Sequence, residues 1–162
     1  MRQRDQDFVL LRHGDAATER HGDDAARTLT DHGRGQAHAI GQRLRWYDCR
    51  FDQVWVSPCE RTRETATIVM SVHNEPVAVH VDERLMPAAS SSQITALLAL
   101  WAQQPAGLRL IVAHAPTLRL LAGTLVGVAA VTPLARAQAL RISNGVLRWR
   151  FGHNDDAPVR HH

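Results

Sequence analysis

Apolar and polar positions along this chain follow two periods, and the switches between them mark its elements. Phe8-Val9-Leu10-Leu11 is a short continuous apolar run, which suits a strand covered on both faces. Residues 15–28 are polar, with Gly22 and several Asp, and read as a surface loop. From Leu29-Thr30 the period lengthens. Ala37, Ile40, Leu44 and Tyr47 recur at helical spacing, so a helix is predicted to about Tyr47 with Thr30 as its N-cap. Residues 52–57 read as a second strand stopped by Pro58, and residues 60–73 as a helix with Thr65, Ile68 and Val69 inward. Residues 77–81 alternate as a third strand, and Ser90-Ser91-Ser92 punctuates before a helix at 93–103. Residues 108–113 form the most apolar strand, followed by His114-Ala115-Pro116 and a helix to about Val126 with Pro116 in its first turn. Residues 139–151 look extended, with a bulge or turn at Ser143-Asn144-Gly145. Strands alternating with helices predict a three-layer α/β/α sandwich around a mostly parallel sheet.

Length and composition narrow the classes. At 162 residues, 44% hydrophobic and 22% charged, the chain suits one globular domain spanning 1–162. The 19 Lys+Arg positions are all Arg, so a P-loop lysine, a Schiff-base lysine and a pyridoxal-phosphate site are excluded. Any anion is handled by guanidinium forks, backbone N–H groups or His. The Arg are spread along the chain among 16 Asp+Glu, and aromatics make up 5%. That is neither a basic face nor a stacking platform, so no nucleic-acid partner is expected. The apolar stretch 118–131 is interrupted by Arg119 and glycines and is too short to span a bilayer, so no membrane role is expected. Cys49 and Cys59 form neither a CxxC pair nor a disulfide framework, which suggests a reduced, cytoplasmic protein. The ten His contain no HExxH pair, and no metal site is expected.

The chemistry collects at strand ends. The first strand delivers Arg12-His13-Gly14, the second Ser57-Pro58-Cys59-Glu60-Arg61, and the fourth His114. Ligands of open α/β sheets bind in the crevice at the carboxyl edge. Two Arg and two His converging there would make a cationic pocket. Guanidinium forks match phosphate oxygens, and a neutral imidazole can attack phosphorus. Each piece alone is weak; their order, each at a strand end, is the signal. Cys59 lacks a following Gly-rich phosphate loop and reads as a buried small hydrophobe.

These residues carry a resemblance. The chain is similar to the histidine phosphatase, or phosphoglycerate-mutase-like, superfamily. The matches are Leu11-Arg12-His13-Gly14, then Leu29-Thr30 with Gly33 and Gln36-Ala37, Ser57-Pro58-x-x-Arg61-x-x-x-Thr65-Ala66, and Val112-Ala113-His114. Within it, the small size, the Arg-His-Gly-Asp-Ala start, Leu85-Met86-Pro87 and His114-x-Pro116 resemble SixA-type phosphohistidine phosphatases.

The resemblance implies a metal-independent, cofactor-free phosphatase with a phosphoglycerate-mutase-like fold. His13 would be the nucleophile and form a transient phosphohistidine. Arg12, Arg61 and His114 would hold the phosphoryl oxygens, with Gly14 and Asp15 in the same loop. Many relatives with alkoxide leaving groups carry a Glu where this chain has Pro87. An imidazole leaving group demands less acid help, which favours phosphohistidine on a partner protein of the histidine phosphotransfer type. The alternative is a phosphomonoesterase acting on a small phosphorylated metabolite (sugar phosphate or nucleotide), with Glu83 or Asp15 as general acid. Phosphate or sulfate should fit the pocket in either case.

Overall fold

A computed structural model describes residues 6–18, 22–127, 131–154 and 159–160. The elements run β1 (Gln6–Arg12), α1 (Asp31–Trp46), β2 (Gln53–Val56), α2 (Glu60–Ser71), β3 (Ala78–Val81), α3 (Ser91–Ala102), β4 (Gly107–Ala113), α4 (Ala115–Val126), β5 (Gln138–Ser143), β6 (Val146–Gly152) and β7 (Val159–Arg160). Short 3-10 turns cover Asp24–Ala26 and Glu83–Leu85. The predicted helices are present with their caps. Thr30 accepts from the Gly33 N–H, and Pro116 sits in the first turn of α4. The serine punctuation is itself a capping box, Ser90 with Gln93, so α3 starts two residues before its predicted start.

The sheet has the order β3-β2-β4-β1-β5-β6-β7. Strands β3, β2, β4 and β1 are parallel, and β5, β6 and β7 run antiparallel to their neighbours. The mostly parallel sheet therefore holds for the half that carries the strand-end motifs. The other half departs from it because the extended segment folds back at Asn144-Gly145, both at positive φ (53 and 76). A two-residue loop of that shape joins only antiparallel strands.

Side-chain alternation along each strand divides the core into two layers. Val9, Leu11, Val54, Val56, Leu110 and Val112 pack toward Ile40 and Leu44 of α1 and Ala66 and Val69 of α2. Phe8, Leu10, Ile111 and Ala113 pack toward Ile94, Leu97 and Trp101 of α3 and Leu118 and Leu121 of α4. The three-layer sandwich follows. One polar residue breaks the apolar run of β4. Arg109 is buried and donates to Gln53 Oε1 at 3.0 Å, and also to the Trp101 and Pro105 carbonyls, at the amino edge of the sheet. Cys59 is buried, as read from the sequence. The tail of the stretch 118–131 falls partly at 128–130, outside the described residues. Among the described residues no helix is long and apolar enough to cross a membrane.

The parallel register sets the functional edge. Arg12 pairs with Ala113 and Val56 with Val112. The next residues continue the ladder, with the His13 N–H donating to the Ala113 carbonyl and the Ser57 N–H to that of Val112. His13, Ser57 and His114 thus leave three neighbouring strands side by side.

Candidate active site

The loop after β1 is held against the start of α1 by close backbone packing. A Cβ on Gly14 would stand 2.6 Å from the Gly33 carbonyl oxygen, and one on Gly33 would drive into the Asp15 carbonyl. Only glycines fit both sides of that contact. Thr30 caps α1 and donates to Asp15 Oδ2 at 2.8 Å, while Gln36 Oε1 accepts from the Asp15 N–H at 2.8 Å. From α2, Thr65 Oγ1 accepts from the Gly14 N–H at 3.2 Å and donates to the Arg61 carbonyl. The spaced motif residues are therefore the fasteners of one loop, the loop that carries His13.

The hydrogen bonds fix the tautomers of both histidines. His13 Nδ1 lies 2.7 Å from the Gly14 carbonyl oxygen. A carbonyl only accepts, so Nδ1 carries the proton and Nε2 keeps its lone pair. His114 Nδ1 faces Arg61 Nη2 at 3.4 Å, and a guanidinium only donates, so Nδ1 accepts. Its Nε2–H then donates to Ser57 Oγ at 2.8 Å, and Ser57 passes its own proton toward Met86 Sδ at 3.6 Å. The two rings meet edge to face with centroids 5.4 Å apart.

Arg12 and Arg61 lie in the same pocket. Arg12 Nη1 donates to the Leu134 carbonyl at 3.0 Å, and Arg61 is 4% exposed. The Nε atoms of both guanidiniums are buried and without a hydrogen bond among the described residues. Buried donors of that kind ask for an acceptor, and an anion beside His13 would supply it. Burial and the charges of Arg136 and Arg61 lower the pKa of Arg12, which marks a strongly positive potential.

Burial first, then Arg61 and Arg12, lower the pKa of His13 to about 4, against the opposing Gly14 bond; burial, Arg61 and His13 lower that of His114 to about 3. Both rings are neutral near pH 7. For His13, the displacement from 6.5 to about 4 corresponds to on the order of 3 kcal/mol between its two protonation states. Two results should follow. The acid limb of kcat/KM, which reports the free enzyme, is expected near pH 4 rather than near 6.5. Between those values the unfolded chain binds protons that the folded one refuses, so stability rises with pH through the window and falls on acidification. A pH profile and thermal melts at pH 5 and 7 check both; a limb centred at 6.5 would refute the first.

The remaining candidates separate. Asp15 is half-buried beside the nucleophile and forms an ion pair with Arg136 at 2.9 Å. Glu83 is exposed on its 3-10 turn, and no hydrogen bond or ion pair among the described residues ties it to His13, Arg12, Arg61 or His114. Three residues of the site were not singled out in the sequence: Asp24, Arg27 and Arg136. Asp24 accepts from Arg61 Nη2 through its carboxylate at 3.0 Å and from Nη1 through its carbonyl at 2.8 Å. Arg27 pairs with the same carboxylate at 3.0 Å. Asp24 and Arg27 lie in an aperiodic polar segment where the only available signal is charge, and Arg136 follows Val131-Thr132-Pro133-Leu134-Ala135, a stretch with neither helix nor strand period. Among the described residues no group of three His, Cys, Asp or Glu is placed to hold a metal ion.

Comparison with known proteins agrees with this geometry. A family model described as the histidine phosphatase superfamily (branch 1) matches residues 8–90. An uncharacterized protein of Picosynechococcus sp. is 30% identical over 113 residues, 69% of this chain and 68% of that protein. The structure of the protein histidine phosphatase SixA complexed with tungstate superposes with a TM-score of 0.81 at 22% identity, covering 91% of this chain and 97% of that one. The alpha-ribazole phosphatase from Shigella flexneri superposes with a TM-score of 0.67 at 22% identity, over 85% of this chain and 90% of that one. Both structural likenesses concern the fold, which is phosphoglycerate-mutase-like.

Proposed function

The chain belongs to the histidine phosphatase superfamily and is a phosphatase, and from that premise we propose that it dephosphorylates phosphohistidine on a partner protein through a phosphohistidine intermediate on His13. His13 Nε2 attacks the phosphorus of a phosphohistidine whose ring is protonated on its other nitrogen, and the P–N bond breaks with its electron pair staying on that ring, which leaves as neutral imidazole. Water then attacks phospho-His13, releasing phosphate and restoring the neutral ring. Arg12 and Arg61 balance the charge on the phosphoryl oxygens in both steps. No metal or cofactor enters these steps.

One observation carries the substrate class. The carboxylates beside the pocket, Asp15 and Asp24, are both paired with Arg. Asp24 is held below the ordinary carboxylate range by its bonds to Arg27 and Arg61, despite the opposing effect of burial. The family resemblance sets Pro87 at the position where many relatives with alkoxide leaving groups carry a Glu. A pocket whose carboxylates are engaged by Arg offers no free acid for an alkoxide, whereas an imidazole leaves with little help. The likeness to SixA supports this reading. The likeness to alpha-ribazole phosphatase favours the second one, a phosphomonoesterase of small metabolites in which Asp15 or Glu83 gives the proton. We take residues 1–162 as one catalytic domain working in the cytoplasm, where buried free thiols such as Cys49 and Cys59 stay reduced.

The test compares turnover of a phosphohistidine-bearing protein with a panel of alkyl phosphates, sugar phosphates and nucleotides. A preference in kcat/KM of about a hundredfold or more for the phosphohistidine is expected, in proportion to the acid catalysis that esters lack here. A strong preference for one metabolite would overturn the substrate assignment and leave the phosphatase intact.

A further inference from the structure

Arg61 has two usable edges, and only one of them is engaged by an anionic group. Its terminal edge faces Asp24: Nη1 donates to the Asp24 carbonyl oxygen at 2.8 Å and Nη2 to Oδ2 at 3.0 Å. Nη2 also faces His114 Nδ1 at 3.4 Å, and Nε, on the side edge it shares with Nη2, has no hydrogen bond among the described residues although it is buried. Asp24 is itself held. Arg27 Nη1 grips its second carboxylate oxygen at 3.0 Å, and Asp23 caps the 3-10 turn that bears it by accepting from the Ala26 N–H.

We infer that Asp24 is a positioning residue: it clamps the terminal edge of Arg61 so that the Nε edge is presented to the phosphoryl group beside His13. A long guanidinium side chain free to rotate would lose orientational entropy at each turnover, and a bidentate anchor removes that freedom in advance. The same carboxylate places a negative charge beside the site. Its two effects are therefore opposite and separable. Holding Arg61 raises kcat, and the charge weakens binding of a phosphate anion.

The inference rests on Arg61 binding the phosphoryl group. The substrate used for its test is p-nitrophenyl phosphate, whose leaving group needs no acid, so the outcome does not depend on the phosphohistidine assignment. Asp24→Ala removes the charge and the carboxylate half of the anchor, leaving only the bond from Nη1 to the backbone carbonyl, and kcat is expected to fall about tenfold. Asp24→Asn keeps a side-chain acceptor without the charge and is expected to recover most of that loss. Both variants are expected to be inhibited more tightly by inorganic phosphate than the wild type. In an Arg61→Ala background, Asp24→Ala should have almost no further effect on kcat, because a residue acting through Arg61 has nothing left to position.

A wild-type kcat for Asp24→Ala, an Asp24→Asn variant as slow as Asp24→Ala, or the full tenfold loss recurring without Arg61 would each overturn the inference. Asp24 lies on a surface turn and is about half exposed, so folding should survive. If melting shows otherwise for Asp24→Ala, Asp24→Ser replaces it in the same cycle. An Arg61→Ala enzyme with wild-type turnover would instead defeat the phosphoryl-binding role of Arg61, which is a different failure.

Discussion

Replacing His13 by Ala is expected to lower kcat by about 10⁴-fold or more, the scale seen when a covalent nucleophile is removed. The reason is specific to this ring. Its Nδ1 proton is committed to the Gly14 carbonyl at 2.7 Å, so the lone pair is on Nε2. Burial and two guanidiniums keep that lone pair unprotonated near neutral pH. No second group in the pocket has both properties, since the Nδ1 of His114 is held by Arg61 and its Nε2 carries a proton toward Ser57. Single-turnover kinetics with acid-quench analysis would detect an acid-labile, base-stable phosphoryl group on the wild type and none on His13→Ala. A variant retaining more than a few per cent of turnover, or still labelled, removes His13 from the nucleophile's role.

The second large effect is expected at Arg61. Its guanidinium is 4% exposed, so its charge acts in a medium that screens poorly and is worth more there than at the surface. Arg61→Ala should lower kcat by about 10²–10³-fold, the range for removing one preorganised stabiliser of transition-state charge. It also leaves Asp24 without its buried partner and still facing the phosphate site, so inhibition by inorganic phosphate should weaken as well. Arg61→Lys restores the charge but not the fork and should fall between the two. Kinetics on one chromogenic ester, together with phosphate inhibition constants, measure all three. An Arg61→Ala enzyme within threefold of the wild type would show that Arg12 and His114 suffice.

Much of this site is visible in the residues themselves. The Gly14 and Gly33 positions, fifteen or more residues apart from most of their partners in the pocket, look like loose consensus letters in the sequence. In the fold they are the two sides of one backbone contact. Thr30, Gln36 and Thr65, which carry no chemistry, hold the nucleophile's loop through hydrogen bonds to Asp15 and Gly14. The strand-end reading works because parallel strands put all their carboxyl ends on one edge. A residue following β1, β2 or β4 therefore has little choice of neighbourhood. Asp24, Arg27 and Arg136 were hidden because their segments have no period. A charged residue in a polar loop looks the same whether it faces solvent or a buried guanidinium.

The sequence by itself determined the order of strands and helices, the two-sided burial of β1 and β4, and the set of Arg and His delivered to one edge. Apolar periodicity and hydrogen-bonding propensities act over a few residues, and such local forces can be read locally. Only the tertiary structure decided which histidine nitrogen is free, how far burial lowers the two imidazole pKa values, and which carboxylates are engaged by Arg. Apart from the bond of His13 to its neighbour Gly14, those properties depend mainly on partners far along the chain, such as Arg61 with Asp24 or His114 with Ser57. They also depend on the loss of water around them, which no stretch of the chain specifies alone.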